Sequence, residues 1–231
     1  MAGAGSRMDR PRAGRRPCPV RAPRRWPAGG DVRAARAMSV VLAFDTATAA
    51  TVAGLRAACG ETSGLRDDPA PGARPNHARR LLELADRLLA DAGLRWSDVE
   101  RIGVGVGPGT FTGLRIGVAT ARALAQASGA ELVPVSTLEV LARAARRSGF
   151  GVLAAIDARR GEAFAARWDA DGVCDLAQCA LAPDALAALS PGSGAAALAV
   201  GDGAVRFREP LEAAGFSVPP DGDGLHLVAP G

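Results

Sequence analysis

The chain contains no lysine and no tyrosine, and only two of its 231 residues are histidine. A phosphate-binding P-loop requires G-x-x-x-x-G-K-[ST], so the absence of lysine excludes that class of nucleotide site. The four cysteines (Cys18, Cys59, Cys174 and Cys179) form no C-x-x-C pair, and we therefore expect free thiols in a cytoplasmic protein rather than a zinc cluster. No apolar run reaches the roughly 18 residues of a membrane helix, so we expect no membrane span.

Basic charge is concentrated in residues 1–37. This segment contains ten arginines and two aspartates, a net charge of +8, so the remaining residues carry −4 of the overall +4. It is also rich in proline and glycine, and it has too few large apolar side chains to offset the entropy cost of ordering. We therefore predict a disordered extension. The acidic balance of the rest gives no electrostatic argument for direct nucleic-acid binding.

Strand and helix patterns alternate after this extension. An apolar strand ends at Asp45, a second strand ends near Leu55, and apolar residues then recur at helical spacing over residues 78–92. The capping-box sequence STLE, which starts at Ser136, opens a later helix. The order β-β-α-β-α-β-α over residues 38–149 predicts an α/β layered fold for this N-lobe.

The strand pattern restarts after residue 150. An apolar strand ends at Asp157 before a tight turn, as the first strand ends at Asp45, and this weak repeat predicts two related lobes. We assign residues 150–231 to a reduced C-lobe, because its element patterns thin out toward residue 231.

The stretch GVGVGPGTFTGLRIGVATARALA, residues 103–125, has a glycine-rich start followed by an apolar helix pattern. Its glycine spacing fits neither the P-loop nor the dinucleotide fingerprint G-x-G-x-x-G. The remaining pattern is a strand, a turn and a helix start, whose amides could hold an anion weakly. The candidates for such a weak nucleotide or phosphate site are Asp45, Thr46, Gly107, Gly109 and Asp157.

The helix predicted from Thr112 to Gln126 carries small residues at every fourth position. Because it is apolar almost all round, it must be buried almost all round. Two interpretations remain open: a core helix of the domain, or a helix pair at a partner interface, where Gly117 and Ala121 would allow close crossing. The candidate partner-binding residues are Leu81, Leu84, Leu88, Gly113, Leu114, Gly117, Val118, Ala121 and Leu124.

Four motifs together resemble the TsaB family. They are LAFDTAT at residues 42–48, the glycine-rich stretch at 103–125, VSTLEVLA at 135–142 and VLAAIDARRGEAF at 152–164. The resemblance implies an actin-like (ASKHA) fold of two lobes. Because relatives usually continue through another helix and a final strand, it also implies a truncated C-lobe in this sequence. It also implies a non-catalytic accessory role in tRNA adenosine-37 threonylcarbamoylation, the t6A modification.

The resemblance further implies a set of partners. The two N-lobe helices would bind the related catalytic subunit TsaD, and the ATPase TsaE would join them. ATP and metal would be bound by these partner subunits, so we expect no catalytic residue, cofactor or metal on this chain. Contact with tRNA would occur only through the complex, and a homodimer is an alternative for the chain alone.

An actin-like ATPase or a peptidase-like protein acting independently is the alternative function. Actin-like ATPases hold phosphates between two aspartate-bearing hairpins, which here would contain Asp45 and Asp157. However, the sequence DTATAAT at the first hairpin has no glycine to bring amides close to phosphate. A metal-dependent peptidase would need a histidine pair, whereas His77 stands alone at its helix start.

Overall fold

The computed structural model describes residues 39–70, 72–146, 150–191 and 197–228. The extension predicted over residues 1–37 lies outside them. In these ranges no helix is long and apolar enough to cross a membrane. The chain forms two mixed β-sheets, one in each lobe, with helices packed against them.

The N-lobe contains a five-stranded sheet in the order β3-β2-β1-β4-β5. Strand β1 is central, and it pairs antiparallel with β2 and parallel with β4. The N-lobe elements are β1 (Val41–Asp45), β2 (Thr51–Arg56), β3 (Thr62–Asp67), α1 (His77–Asp91), β4 (Arg101–Gly105), α2 (Phe111–Ser128), β5 (Glu131–Val135) and α3 (Thr137–Ala145).

The structure corrects the predicted N-lobe order by adding strand β3. The observed order is β-β-β-α-β-α-β-α. The prediction omitted β3 because its first half is exposed at the edge of the sheet and carries no apolar run. The predicted helix starts agree better with the structure. Ser136 caps α3 by accepting a hydrogen bond from the amide of Glu139, and Thr110 caps α2 in the same way.

The C-lobe contains a four-stranded sheet in the order β8-β7-β6-β9, which repeats the order β3-β2-β1-β4. Its first strand is again antiparallel to the second and parallel to the fourth. The C-lobe elements are β6 (Gly151–Asp157), β7 (Ala163–Trp168), β8 (Cys174–Leu181), α4 (Pro183–Ala187), β9 (Ala197–Val200), α5 (Asp202–Arg206) and α6 (Arg208–Ala213).

The two lobes share part of their hydrophobic core. One cluster lies between the N-lobe sheet and helices α1 and α2, and it includes Leu81, Leu84 and Leu88. A second cluster lies against β6, β7 and β9, and α3 belongs to it although α3 precedes the C-lobe in sequence. Ala50 and Val52 of the N-lobe also lie in this second cluster, so apolar contacts join the lobes.

The small residues of α2 face the chain itself. Gly113, Gly117 and Ala121 are buried, and a Cβ atom added at Gly113 would overlap the carbonyl oxygen of Thr46. A Cβ at Gly117 would overlap the Thr46 hydroxyl. The hypothesis that Gly117 and Ala121 mark a crossing with a partner helix is therefore wrong, because the turn between β1 and β2 and the N-lobe sheet already cover them.

We predict that Ala121→Leu destabilises the chain on its own. Ala121 is fully buried, and the added carbons would overpack the core at a cost of about 1–3 kcal/mol, which lowers the melting temperature by roughly 2–12 °C. The matched control is Ala119→Leu, on the exposed side of the same helix. Thermal unfolding of both variants checks this, and equal melting temperatures would contradict the assigned orientation of α2.

Candidate functional site

Asp45, at the end of β1, has a carboxylate that is bound within the chain. Its Oδ1 accepts a hydrogen bond from the Ala47 amide at 2.6 Å, and its Oδ2 accepts one from the Thr137 hydroxyl at 2.7 Å. Burial raises the pKa of Asp45, while these two hydrogen bonds and the nearby His77 act in the opposite direction. Since Asp45 is only 7% exposed, the side chain is closed off from solvent.

The other polar residues of the β1–β2 turn attach it to α1 and α2. The Thr46 hydroxyl donates to the Gly113 carbonyl at 2.8 Å. The side chain of His77, at the start of α1, is buried. Its Nδ1 is hydrogen-bonded to the hydroxyl of Thr51, the first residue of β2, at 2.9 Å. Burial lowers the pKa of His77, although Asp45 and Asp67 favour its protonated form. His77 is therefore a buried residue of the N-lobe framework.

The glycine-rich loop before α2 packs against the same turn. The Thr110 amide donates to the Ala47 carbonyl at 2.7 Å, and a Cβ atom at Gly109 would overlap that carbonyl oxygen. Gly107 has a φ of +88°, which favours glycine, and its carbonyl accepts a hydrogen bond from the Thr137 amide at 2.9 Å. The predicted phosphate residues of the N-lobe thus lie close together. Their hydrogen bonds join the β1–β2 turn, the glycine-rich loop and the starts of α2 and α3.

The carboxylate of Asp157, at the end of β6, is also hydrogen-bonded within the chain. Its Oδ1 accepts a hydrogen bond from the Arg159 amide, and its Oδ2 accepts one from Arg206 Nη1, both at 2.8 Å. The neighbouring Asp202 accepts a hydrogen bond from the Asp157 amide at 3.1 Å, and burial raises the pKa of Asp202. Among the described residues, no cluster of three or more His, Cys, Asp or Glu side chains could hold a metal ion.

The outer face of α2 carries an exposed aromatic and two arginines. Phe111 is 74% exposed, and the guanidinium of Arg115 lies over its ring, 5.3 Å from the centroid. Arg122 is exposed two turns further along the helix, and α2 contains no acidic residue. Neither arginine forms an ion pair with another described residue. This surface is hereafter called the Phe111–Arg122 face.

The structure separates the predicted partner-binding residues into two groups. Leu114, Val118 and Leu124 are half-buried, and Val118 and Leu124 pack against the N-lobe core cluster. The others are buried inside the N-lobe and hold the helices in place. The buried ones are Leu81, Leu84, Leu88, Gly113, Gly117 and Ala121.

Sequence reasoning did not place Phe111 and Arg115 among the candidate partner-binding residues. Their signal was an aromatic and a cation four residues apart, directly after the Thr110 cap, which places both side chains on one side of the helix. The structure adds that this side points away from the core.

Comparison with known proteins identifies the family. A family model described as TsaD, tRNA N6-adenosine threonylcarbamoyltransferase, matches residues 71–218. The TsaB protein of Escherichia coli, described as a tRNA threonylcarbamoyladenosine biosynthesis protein, is 40% identical over 97 residues, which are 41% of this chain and 42% of that protein. An uncharacterized protein of Mycobacterium tuberculosis is 35% identical over 173 residues, which are 75% of this chain and 78% of that protein.

The matched segments cover only about two fifths of the first curated relatives, among them the TsaB protein of Haemophilus influenzae, which is 38% identical over 94 residues and covered over 40% of its length. Among solved structures, YeaZ from Pseudomonas aeruginosa superposes with a TM-score of 0.66 at 31% identity, over 74% of this chain and 79% of that one. The likeness extends through both lobes and supports the actin-like fold. Since the family model covers well over half of the residues, the chain belongs to the tRNA N6-adenosine threonylcarbamoyltransferase family, and within it the chain is a TsaB-type protein with an actin-like fold.

Proposed function

We propose that this chain is a non-catalytic subunit in the biosynthesis of threonylcarbamoyladenosine at position 37 of tRNA. In this role it binds and supports the catalytic TsaD subunit, and the ATPase TsaE joins the complex. The names of the TsaB relatives and the family model support the pathway. The exposure of the Phe111–Arg122 face carries the proposal that the chain works by binding another subunit.

The chemistry of this face fits a protein partner. Exposed aromatic and arginine side chains are the residue types that dominate binding energy at interfaces. Arg115 and Arg122 have no acidic neighbour on their own helix, so a partner with carboxylates opposite them would bind with complementary charge. Because the small residues of α2 fix the helix on the N-lobe, little entropy is lost when a partner binds.

The same charges disfavour a homodimer through this face. In a two-fold symmetric contact, the same patch of both copies meets itself. An α2–α2 contact would therefore bring arginines near arginines with no acidic residue of the helix between them. A homodimer of the isolated chain through α2 would be weaker than the heteromeric complex.

The hydrogen bonds of both hairpins support the non-catalytic role. An actin-like ATPase needs its hairpin carboxylates free to act on water or metal beside the phosphates. Here the Asp45 carboxylate binds Ala47 and Thr137, and that of Asp157 binds Arg159 and Arg206. We infer that ATP and metal act on the partner subunits, that tRNA is reached through the complex, and that the protein works in the cytoplasm.

Phe111→Ala is predicted to weaken binding to the catalytic subunit without changing the stability of this chain. Truncating an exposed aromatic anchor at an interface costs about 2 kcal/mol or more, which is roughly a 30-fold loss of affinity. Isothermal titration calorimetry with purified TsaD measures the affinity. Phe150→Ala is the matched control, since Phe150 is also exposed, at 40%, but lies at the start of the C-lobe. Equal losses in both variants, or none in Phe111→Ala, would refute the assignment of the face.

Asp45→Asn is predicted to preserve both folding and complex formation. The carboxamide oxygen can accept the hydrogen bond from Ala47, and the amide group can donate to the Thr137 hydroxyl, while the cost of burying a charge disappears. Asp45→Ala, in contrast, leaves two buried donors without an acceptor and costs about 1–3 kcal/mol for each. Melting temperature, TsaD affinity and ATP hydrolysis are measured on both variants. ATP hydrolysis by the parent chain that Asp45→Asn abolishes, at an unchanged melting temperature, would support the ATPase alternative instead.

A further inference from the structure

Helix α3 links the two lobes. It follows the N-lobe edge strand β5, yet Leu138, Leu141 and Ala142 are buried in the C-lobe core cluster. Its first residue, Thr137, is fully buried and donates its hydroxyl to Asp45 Oδ2 at 2.7 Å. The polar contact at the start of α3 is therefore made to the N-lobe, while its apolar face belongs to the C-lobe.

The turn that holds Thr137 also holds the start of α2. Asp45, Thr46 and Ala47 are consecutive. Thr46 donates to the Gly113 carbonyl at 2.8 Å, and the Ala47 carbonyl accepts from the Thr110 amide at 2.7 Å. A displacement of the Asp45 carboxylate would therefore change the hydrogen bonds that fix the first turn of α2.

We infer that the hydrogen bond between Asp45 and Thr137 is an interlobe latch, which fixes the C-lobe against the N-lobe and keeps the start of α2 in position. The chain reserves space for it, since a Cβ atom at Gly105 would overlap Asp45 Oδ2. The latch stands on this chain's own contacts and does not depend on which subunit binds α2.

The Thr137 amide also donates to the Gly107 carbonyl at 2.9 Å, but every residue at position 137 except proline keeps this backbone bond. The remaining contacts between the lobes lack the directionality of the Asp45–Thr137 bond. Ala50 and Val52 contribute apolar packing, which tolerates sliding. The guanidinium of Arg66 donates to the Val228 carbonyl at 2.8 Å, but it does so from a long, half-buried side chain. The Asp45–Thr137 bond joins two short, buried side chains, and a hydrogen bond in such an environment is strong and geometrically restrictive.

Thr137→Val tests the latch, because valine keeps the shape of threonine and removes the hydroxyl. Thr137→Ser is the matched control that keeps the hydroxyl. Spin labels are attached to Cys59, which is exposed in the N-lobe, and to an exposed C-lobe position through Ala187→Cys, with the other three cysteines replaced. Pulsed electron–electron double resonance then reports the distance distribution between the lobes.

The latch predicts one narrow distance distribution for the parent and Thr137→Ser, and a broadened or two-component distribution for Thr137→Val. It also predicts that the Thr110 amide exchanges with solvent at least about tenfold faster in Thr137→Val, while the C-lobe amide of Ala199 is unchanged. A folded Thr137→Val whose distribution and Thr110 exchange match the parent would overturn the inference.

A second variant covers the case in which Thr137→Val fails to fold because the Asp45 carboxylate loses its donor. The double variant Asp45→Asn with Thr137→Val removes the charge and the hydroxyl together. It must still give a broadened distribution, since the side-chain bond that fixes the start of α3 to the β1–β2 turn is gone. A narrow distribution in the double variant would equally overturn the inference. These measurements use the isolated chain, so their failure leaves the proposed binding to TsaD untouched.

Discussion

The buried carboxylate of Asp45 connects the turn between β1 and β2 to the start of α3. It accepts hydrogen bonds from its own turn and from the first residue of α3, and the same turn binds the first residues of α2. A buried acidic group is costly unless hydrogen bonds compensate it. Here that compensation comes from donors on separate elements, so the carboxylate ties those elements together. In an actin-like fold, this strand end is where a catalyst would present a carboxylate to phosphate; in this chain it stabilises the junction of the lobes.

The two faces of helix α2 differ: the inner face packs on the N-lobe, and the outer face is exposed and is the proposed binding surface. On the inner face, Gly113 and Gly117 allow the helix to approach the Thr46 turn closely, at the expense of intrinsic helix propensity. Ala121 on the same face packs in the N-lobe core cluster. The outer face carries Phe111 and two arginines with no acidic partner on the helix. The inner face makes the helix rigid, and rigidity lets the outer face bind with little ordering cost. A glycine-rich helix start that resembles a nucleotide loop thus serves packing on one side and supports the proposed protein contact on the other.

Local signals predicted most of the elements, and tertiary contacts account for what was missed. The cap at Ser136 fixes the start of α3 through neighbouring residues, so sequence alone located it. Strand β3 was left out because an exposed edge strand needs no apolar run. The sequence could not show which way the small residues of α2 face, since this depends on Thr46, which is 67 residues away from Gly113 in sequence. The exposure of Phe111 could not be predicted either, because the exposed fraction of a side chain depends on the tertiary fold.

We propose that this chain supports tRNA modification by binding a catalytic subunit rather than by catalysing a step. The most direct measurement is reconstitution of threonylcarbamoyladenosine formation on tRNA from purified TsaD and TsaE, with the threonylcarbamoyl donor supplied, in the presence and absence of this chain. In this role, modification requires the chain in stoichiometric amount and saturates at one chain per catalytic subunit. Full modification in its absence, or saturation at a small catalytic fraction of that amount, would contradict the proposed role.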